Sequence, residues 1–209
     1  MYRPFIDDPA HIAVLEGQRY VVLRPNGAVQ DAYTQVRERV QDKLAGLQVS
    51  YPTQPHVTLA GFGKGTSIDA VRELVANWAP TVPPLRLEVE KLDVFPSPFQ
   101  IVIARLRRTS ELAGALTTLR ERARRYKLVD VATVEPPEWI FHMSVAYCSA
   151  LSAAAWADVA AWVETVPVAA AECTVTEVEL VAIDDGQEYS GGRLRLTVPP
   201  SQFMRETAV

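Results

Sequence analysis

Histidine is scarce in this chain of 209 residues, with three in all, and cysteine is scarcer still. The two cysteines, Cys148 and Cys173, form no metal-like spacing and fall in strand-like segments, where they read as reduced core thiols. No apolar run approaches the ~18 residues of a membrane-spanning helix, so no membrane partner is expected. The start, "MYRPFIDDPAHIAVLEGQ", lacks a basic stretch followed by an apolar one, so no secretory signal is read and a cytoplasmic protein is expected. Positive charge is not in excess either. A formal net charge of −4 excludes a protein that coats long nucleic acid through its phosphates, but it allows a nucleotide or RNA end in a local basic pocket. The rest is ordinary globular composition, 48% hydrophobic and 22% charged, enough to build a core in one domain over residues 1–209.

Hydrophobic periodicity gives an alternating order of elements. A strand at 19–25 ends in the turn signal Pro25-Asn26-Gly27. A helix follows over about 29–47, then a strand at 56–62, then a helix from an N-cap at Ser67 to Trp78. Strands are read at 85–95 and 99–106. The order then recurs, with a helix over 110–127, a strand at 139–147, a helix capped by Ser152, and a strand at 173–183. A loop flanked by Asp184-Asp185-Gly186 and Gly191-Gly192 leads to a last strand at 193–198. The implied fold is α+β and bilobal, with pseudo-repeats at about 19–97 and 98–198. Each repeat would supply an antiparallel sheet with helices outside, and the free sheet faces would line a central cleft.

Two of the three histidines occupy matching settings, "QPHVTLAGFG" (54–63) and "IFHMSVAYCS" (140–149). A shift of 86 residues lays His56 on His142, Thr58 on Ser144 and Ala60 on Ala146. On a strand, residues i and i+2 share a face. Each segment therefore turns Val57 and Leu59, or Met143 and Val145, toward the helices and presents an imidazole beside a hydroxyl. A lone strand histidine is ordinarily structural; its repetition with the same +2 hydroxyl points to chemistry. In-line displacement at phosphorus needs a base on the attacking oxygen and an acid on the leaving one. Two imidazoles of pKa near ~6.5 supply both without a metal or other cofactor, and Thr58 and Ser144 can donate to the non-bridging oxygens. Which histidine takes which role stays open. Zinc is a weak rival, because neither strand carries a Cys or carboxylate at ligand spacing. His11 has no such partner and reads as a surface or structural residue.

These two segments, their separation and the bilobal order resemble the 2H phosphoesterase superfamily, which includes the 2′-5′ RNA ligase or RNA 2′,3′-cyclic phosphodiesterase family. The resemblance implies catalytic roles for His56 and His142 and phosphate binding by Thr58 and Ser144, with no metal. It also implies a hydrolase acting on a 2′,3′-cyclic phosphate or 2′-5′ phosphodiester of RNA or a nucleotide. Joining RNA ends by the reverse reaction, or a binding module without turnover, are the alternatives.

Around the tetrad, Phe62 shares the face of His56, Thr58 and Ala60 by strict alternation, making it a pocket candidate. Trp139 and Tyr147 bracket the second motif. Alternation turns Tyr147 away from the cleft unless a bulge re-aims it. Lys64 is a candidate phosphate contact, and Phe95 and Phe99 would cover a lobe edge. Eight Lys and Arg fall between Arg105 and Lys127; on the helix, Arg120, Arg122, Arg124 and Arg125 are expected outward, as a solvated face or an RNA-guiding one. A monomer taking a small nucleotide or RNA terminus is expected.

Overall fold

The computed structural model describes residues 13–131, 134–185 and 187–197. His11, Gly186 and Val198 lie outside them. Strand β1 (Arg19–Leu23) is followed by helix α1 (Gly27–Lys43), β2 (Val57–Phe62) and α2 (Ile68–Trp78). A hairpin of β3 (Leu85–Phe95) and β4 (Ile101–Leu106) then leads to α3 (Ser110–Arg125), β5 (His142–Tyr147) and α4 (Ala153–Val163). The last strands are β6 (Glu172–Val175), β7 (Glu177–Asp184) and β8 (Gln187–Arg195).

Local signals explain most boundaries. Ser67, Thr109 and Ser152 each accept a backbone N–H of the following helix, closing the first turns of α2, α3 and α4. Each helix buries a stripe at helical spacing, such as Val71, Leu74, Val75 and Trp78 on α2. At ~25 cal/mol per Å² of apolar surface, such a stripe stabilises the fold by several kcal/mol.

Two antiparallel sheets result, in the orders β2-β1-β7-β8 and β5-β4-β3-β6. The repeats of the sequence are not the lobes of the structure. Strands cross over between the halves: β3 of the first half pairs with β4 in the second sheet, while β7 and β8 of the second half lie in the first, β7 beside β1. The helices cross too, since α1 packs on β5, β6 and β3 while α3 reaches β2 as well as β3. Helices α2 and α4 stay with the sheet of their own motif strand, α2 on β7 and β8 and α4 on β3. One main hydrophobic core runs through both halves.

Two sequence expectations need correction at the C-terminal end. The run 173–183 is two strands, because Thr176 breaks it; β6 continues the second sheet and β7 enters the first. The segment read as a loop between the Gly-containing turns is the first part of β8, which pairs with β7 from Asp184↔Gln187 onward.

Strands β2 and β5 are the free edges of their sheets, and each is met by a segment of the opposite half. Ser50 bridges Tyr147, and Asp130 bridges Phe62. Unpaired edge donors and acceptors are thereby closed where the two motif strands approach each other.

Candidate active site

Register turns both +2 hydroxyls away from the main core. Thr58 pairs with Val22, and Ser144 with Ile103. Val22 belongs to a small apolar cluster with Val181 and Ile183, joined by Tyr20 and Tyr147 and separate from the main core. The preceding residues, Val57 and Met143, and their cross-strand partners Leu23 and Ala104 point into the main core instead.

Both ladders carry a β-bulge at the same place. Pairing jumps from Val21↔Ala60 to Val22↔Thr58, leaving Leu59 extra, and from Val102↔Ala146 to Ile103↔Ser144, leaving Val145 extra. A bulge reverses the faces of everything beyond it. Phe62 is therefore turned away from the cleft: it is fully buried in the main core. Tyr147 is turned to the face of Ser144, with which it is hydrogen bonded, and packs on the small apolar cluster. Gly61, the counterpart of Tyr147, carries no side chain; a Cβ there would lie 3.1 Å from the ring of Tyr20. Tyr20 thus takes the room that Gly61 leaves.

Each imidazole Nδ1 meets a carbonyl two residues back, Gln54 at 3.3 Å for His56 and Ile140 at 2.8 Å for His142. A carbonyl only accepts, so Nδ1 carries the proton in both rings. Burial pushes the His56 pKa down to about 3, helped by the Arg24 cation and by His142, and opposed by the Gln54 carbonyl. Burial also lowers His142, against its Ile140 carbonyl. The ring of Phe95 stands edge-on to His142, with centroids 4.8 Å apart.

An arginine flanks each histidine, and neither was legible from the motifs. Arg105 on β4 pairs in register with His142. Arg24, one residue past β1, occupies the same place beside His56. A shift of 81 residues relates these arginines, not the 86 that relates the motifs, so one global offset misses them. Their settings differ. Arg24 binds Glu179 at 2.8 Å and also Glu188, whereas Arg105 is drawn to Asp93 at 3.2 Å and Glu90 at 3.3 Å.

The remaining candidates are less central. Trp139 is half-buried against the core, with the Arg120 guanidinium 4.5 Å from its ring. Lys64 is exposed in the turn after β2 and packs on Gly17. Arg120 corrects the outward expectation, being 5% exposed and paired with Asp130 at 2.8 Å. Phe95 packs edge-on to His142, while Phe99 is 65% exposed. Among the described residues no group of three His, Cys, Asp or Glu could hold a metal ion, and no helix is long and apolar enough to cross a membrane.

Solved structures share this architecture. Apo LigT of E. coli matches with 15% identity and a TM-score of 0.60, over 87% of this chain and 98% of that one. TT0787 of Thermus thermophilus matches with 15% identity and a TM-score of 0.62 over the same shares. Usb1 of Kluyveromyces marxianus matches with 9% identity and a TM-score of 0.50, over 85% and 98%. LigT structures complexed with 3′-AMP and with phosphate match as well, each at 16% identity. At these identities the likeness establishes the fold. No curated protein sequence matches. The family model described as the 2′-5′ RNA ligase superfamily matches residues 25–187.

Proposed function

The chain belongs to the 2′-5′ RNA ligase superfamily, and from that premise we propose that it is a metal-independent phosphodiesterase hydrolysing a 2′,3′-cyclic phosphate or 2′-5′ phosphodiester of RNA or a nucleotide. The observation that carries this reading is the duplication of the half-site. Histidine, +2 hydroxyl, bulge and flanking arginine recur in the same places on two facing edge strands. Displacement at phosphorus uses two opposed reagents, and a half-site present twice is what such a reaction calls for. That LigT has been solved with 3′-AMP and with phosphate is consistent with a nucleotide phosphate here.

His56 is the base. Its depressed pKa keeps Nε2 unprotonated at neutral pH, ready to take a proton from water as the water oxygen attacks phosphorus. His142 is the acid. Its shorter carbonyl bond favours the protonated ring, and the charge of a bound phosphate favours it further. As the P–O bond to one ribose oxygen breaks, His142 Nε2–H protonates that oxygen. Thr58 and Ser144 donate to the non-bridging oxygens, where negative charge accumulates. Tyr147, whose pKa burial raises, stays a neutral phenol able to donate beside Ser144.

The test is turnover of a panel of 2′,3′-cyclic nucleotides and 2′-5′ dinucleotides by the wild type and by His56→Ala and His142→Ala. Each variant is expected to lose on the order of 10²–10⁴ in kcat with folding intact. Full activity in either variant, or sensitivity of the wild type to chelators, refutes the reading.

A further inference from the structure

The pseudosymmetry extends to the crossing helices. Advancing α1 by 83 residues lays its buried stripe, Val29, Ala32, Tyr33, Val36 and Val40, on that of α3, Leu112, Ala115, Leu116, Leu119 and Ala123. The same shift lays Arg37 on Arg120. Each arginine covers an aromatic ring in the segment leading to a motif: Arg37 lies 5.9 Å from Tyr51, and Arg120 4.5 Å from Trp139.

There the likeness ends. Around Arg120 the chain fills the space itself, with the Asp130 carboxylate at 2.8 Å and the Val134 carbonyl at 2.6 Å. Arg37 is half-buried and has no ion pair among the described residues. Before it lies a cavity of about 680 Å³, walled by Arg24, Tyr33, Thr34, Gln54 and Arg193 among others. The cavity abuts the catalytic cleft on both sides. The Gln54 carbonyl holds the His56 ring, and the Tyr33 hydroxyl donates to the Ser144 carbonyl at 2.9 Å. Of the three glutamates on the wall, Glu179 is bound by Arg24 and lies 3.9 Å from Arg193, and Glu177 lies 3.7 Å from Arg195. Glu38, the third, is exposed. Among the described residues of the wall, Arg37 is the uncommitted cation.

We infer that this cavity takes a second anionic group of the substrate, a phosphate adjacent to the reacting one, with Arg37 as its counter-charge. This rests on the catalytic reading above and specifies the substrate it implies. The occupant's chemistry is read from the other half, where the equivalent guanidinium pairs with a carboxylate. A guanidinium fork binds phosphate oxygens in the same manner. The phosphate could come from a nucleotide 5′ end or from an internucleotide link, so both sources enter the test.

The experiment compares KM for three substrates: a nucleoside 2′,3′-cyclic phosphate with a 5′-hydroxyl, its 5′-phosphorylated form, and a dinucleotide ending in a cyclic phosphate. The wild type should favour the phosphate-bearing forms about tenfold, a ratio that Arg37→Gln brings close to one and Arg37→Lys partly restores. Preference for both forms identifies any neighbouring phosphate as the ligand; preference for the dinucleotide alone identifies the internucleotide link. Thr34→Glu, which puts a carboxylate three residues before Arg37 at pairing distance, should erase the same ratio without touching the guanidinium. Equal KM values in the wild type, or a ratio that survives both substitutions, overturn the inference. Should the wild type turn over none of the three, the catalytic reading fails and calorimetry judges the cavity alone. A tenfold preference for a nucleoside 3′,5′-bisphosphate over the 3′-monophosphate, lost in Arg37→Gln, upholds it; no preference overturns it.

Discussion

His56 and Arg24 stand side by side on neighbouring strand ends, and the arginine is one reason the imidazole stays neutral. Arg24→Gln removes that cation and also leaves Glu179 and Glu188 without it, and both changes raise the His56 pKa. A base must be unprotonated to act. The acidic limb of the kcat/KM profile should therefore move toward neutral pH in this variant, and Arg24→Lys should move it partly back. An unmoved limb assigns Arg24 a structural role only. On the basic side, the lowered pKa of His142 predicts a limb of slope −1 beginning below ~6.5, the ordinary imidazole value. The same shift in His56 bears on stability. Its folded-state pKa of about 3 lies below the unfolded one, so acidification through that window protonates the unfolded chain first. Stability then falls with decreasing pH, by ~1.4 kcal/mol per pH unit from this group. His56→Asn should lose less stability than the wild type between pH 7 and pH 4.5, as read from urea midpoints.

At the level of elements, the bulges decide which side chains reach the cleft. Nothing in the letters of "HVTLAGF" or "HMSVAY" announces an extra residue at Leu59 or Val145, so strict alternation misplaces Phe62 and leaves Tyr147 ambiguous. The helices were far more legible: Ser67 and Ser152 cap as read. Arg120 was not, because helical spacing marks it as flanking the stripe and only the tertiary partner Asp130 explains its burial. That pair latches α3 to the segment that bridges Phe62 and leads toward His142. Arg120→Leu strands a buried carboxylate and should cost about 3–5 kcal/mol, whereas Arg120→Leu with Asp130→Leu should cost clearly less. Denaturant unfolding of the two variants checks this. Gly61→Ala brings a methyl to 2.9 Å from Val131 and 3.1 Å from Tyr20, which should lower stability by about 1–3 kcal/mol and displace the Tyr20 ring over the cleft.

The whole molecule is tied together by exchange. The sequence displays the duplication through His56 and His142 but conceals the crossing of β3 and β7, because pairing partners are chosen by geometry far along the chain rather than by local pattern. With one continuous core and strands traded between halves, heat should unfold the protein in a single step, with calorimetric and van't Hoff enthalpies equal. Two resolved transitions would contradict the topology described.

The traded strands also fix what either half lacks alone. Cut at the β3–β4 turn, the first half would keep β3 without β4 or β6 to pair with, and its own sheet would lose β7 and β8. Each half is thus the obligate complement of its sibling, and neither closes a sheet by itself.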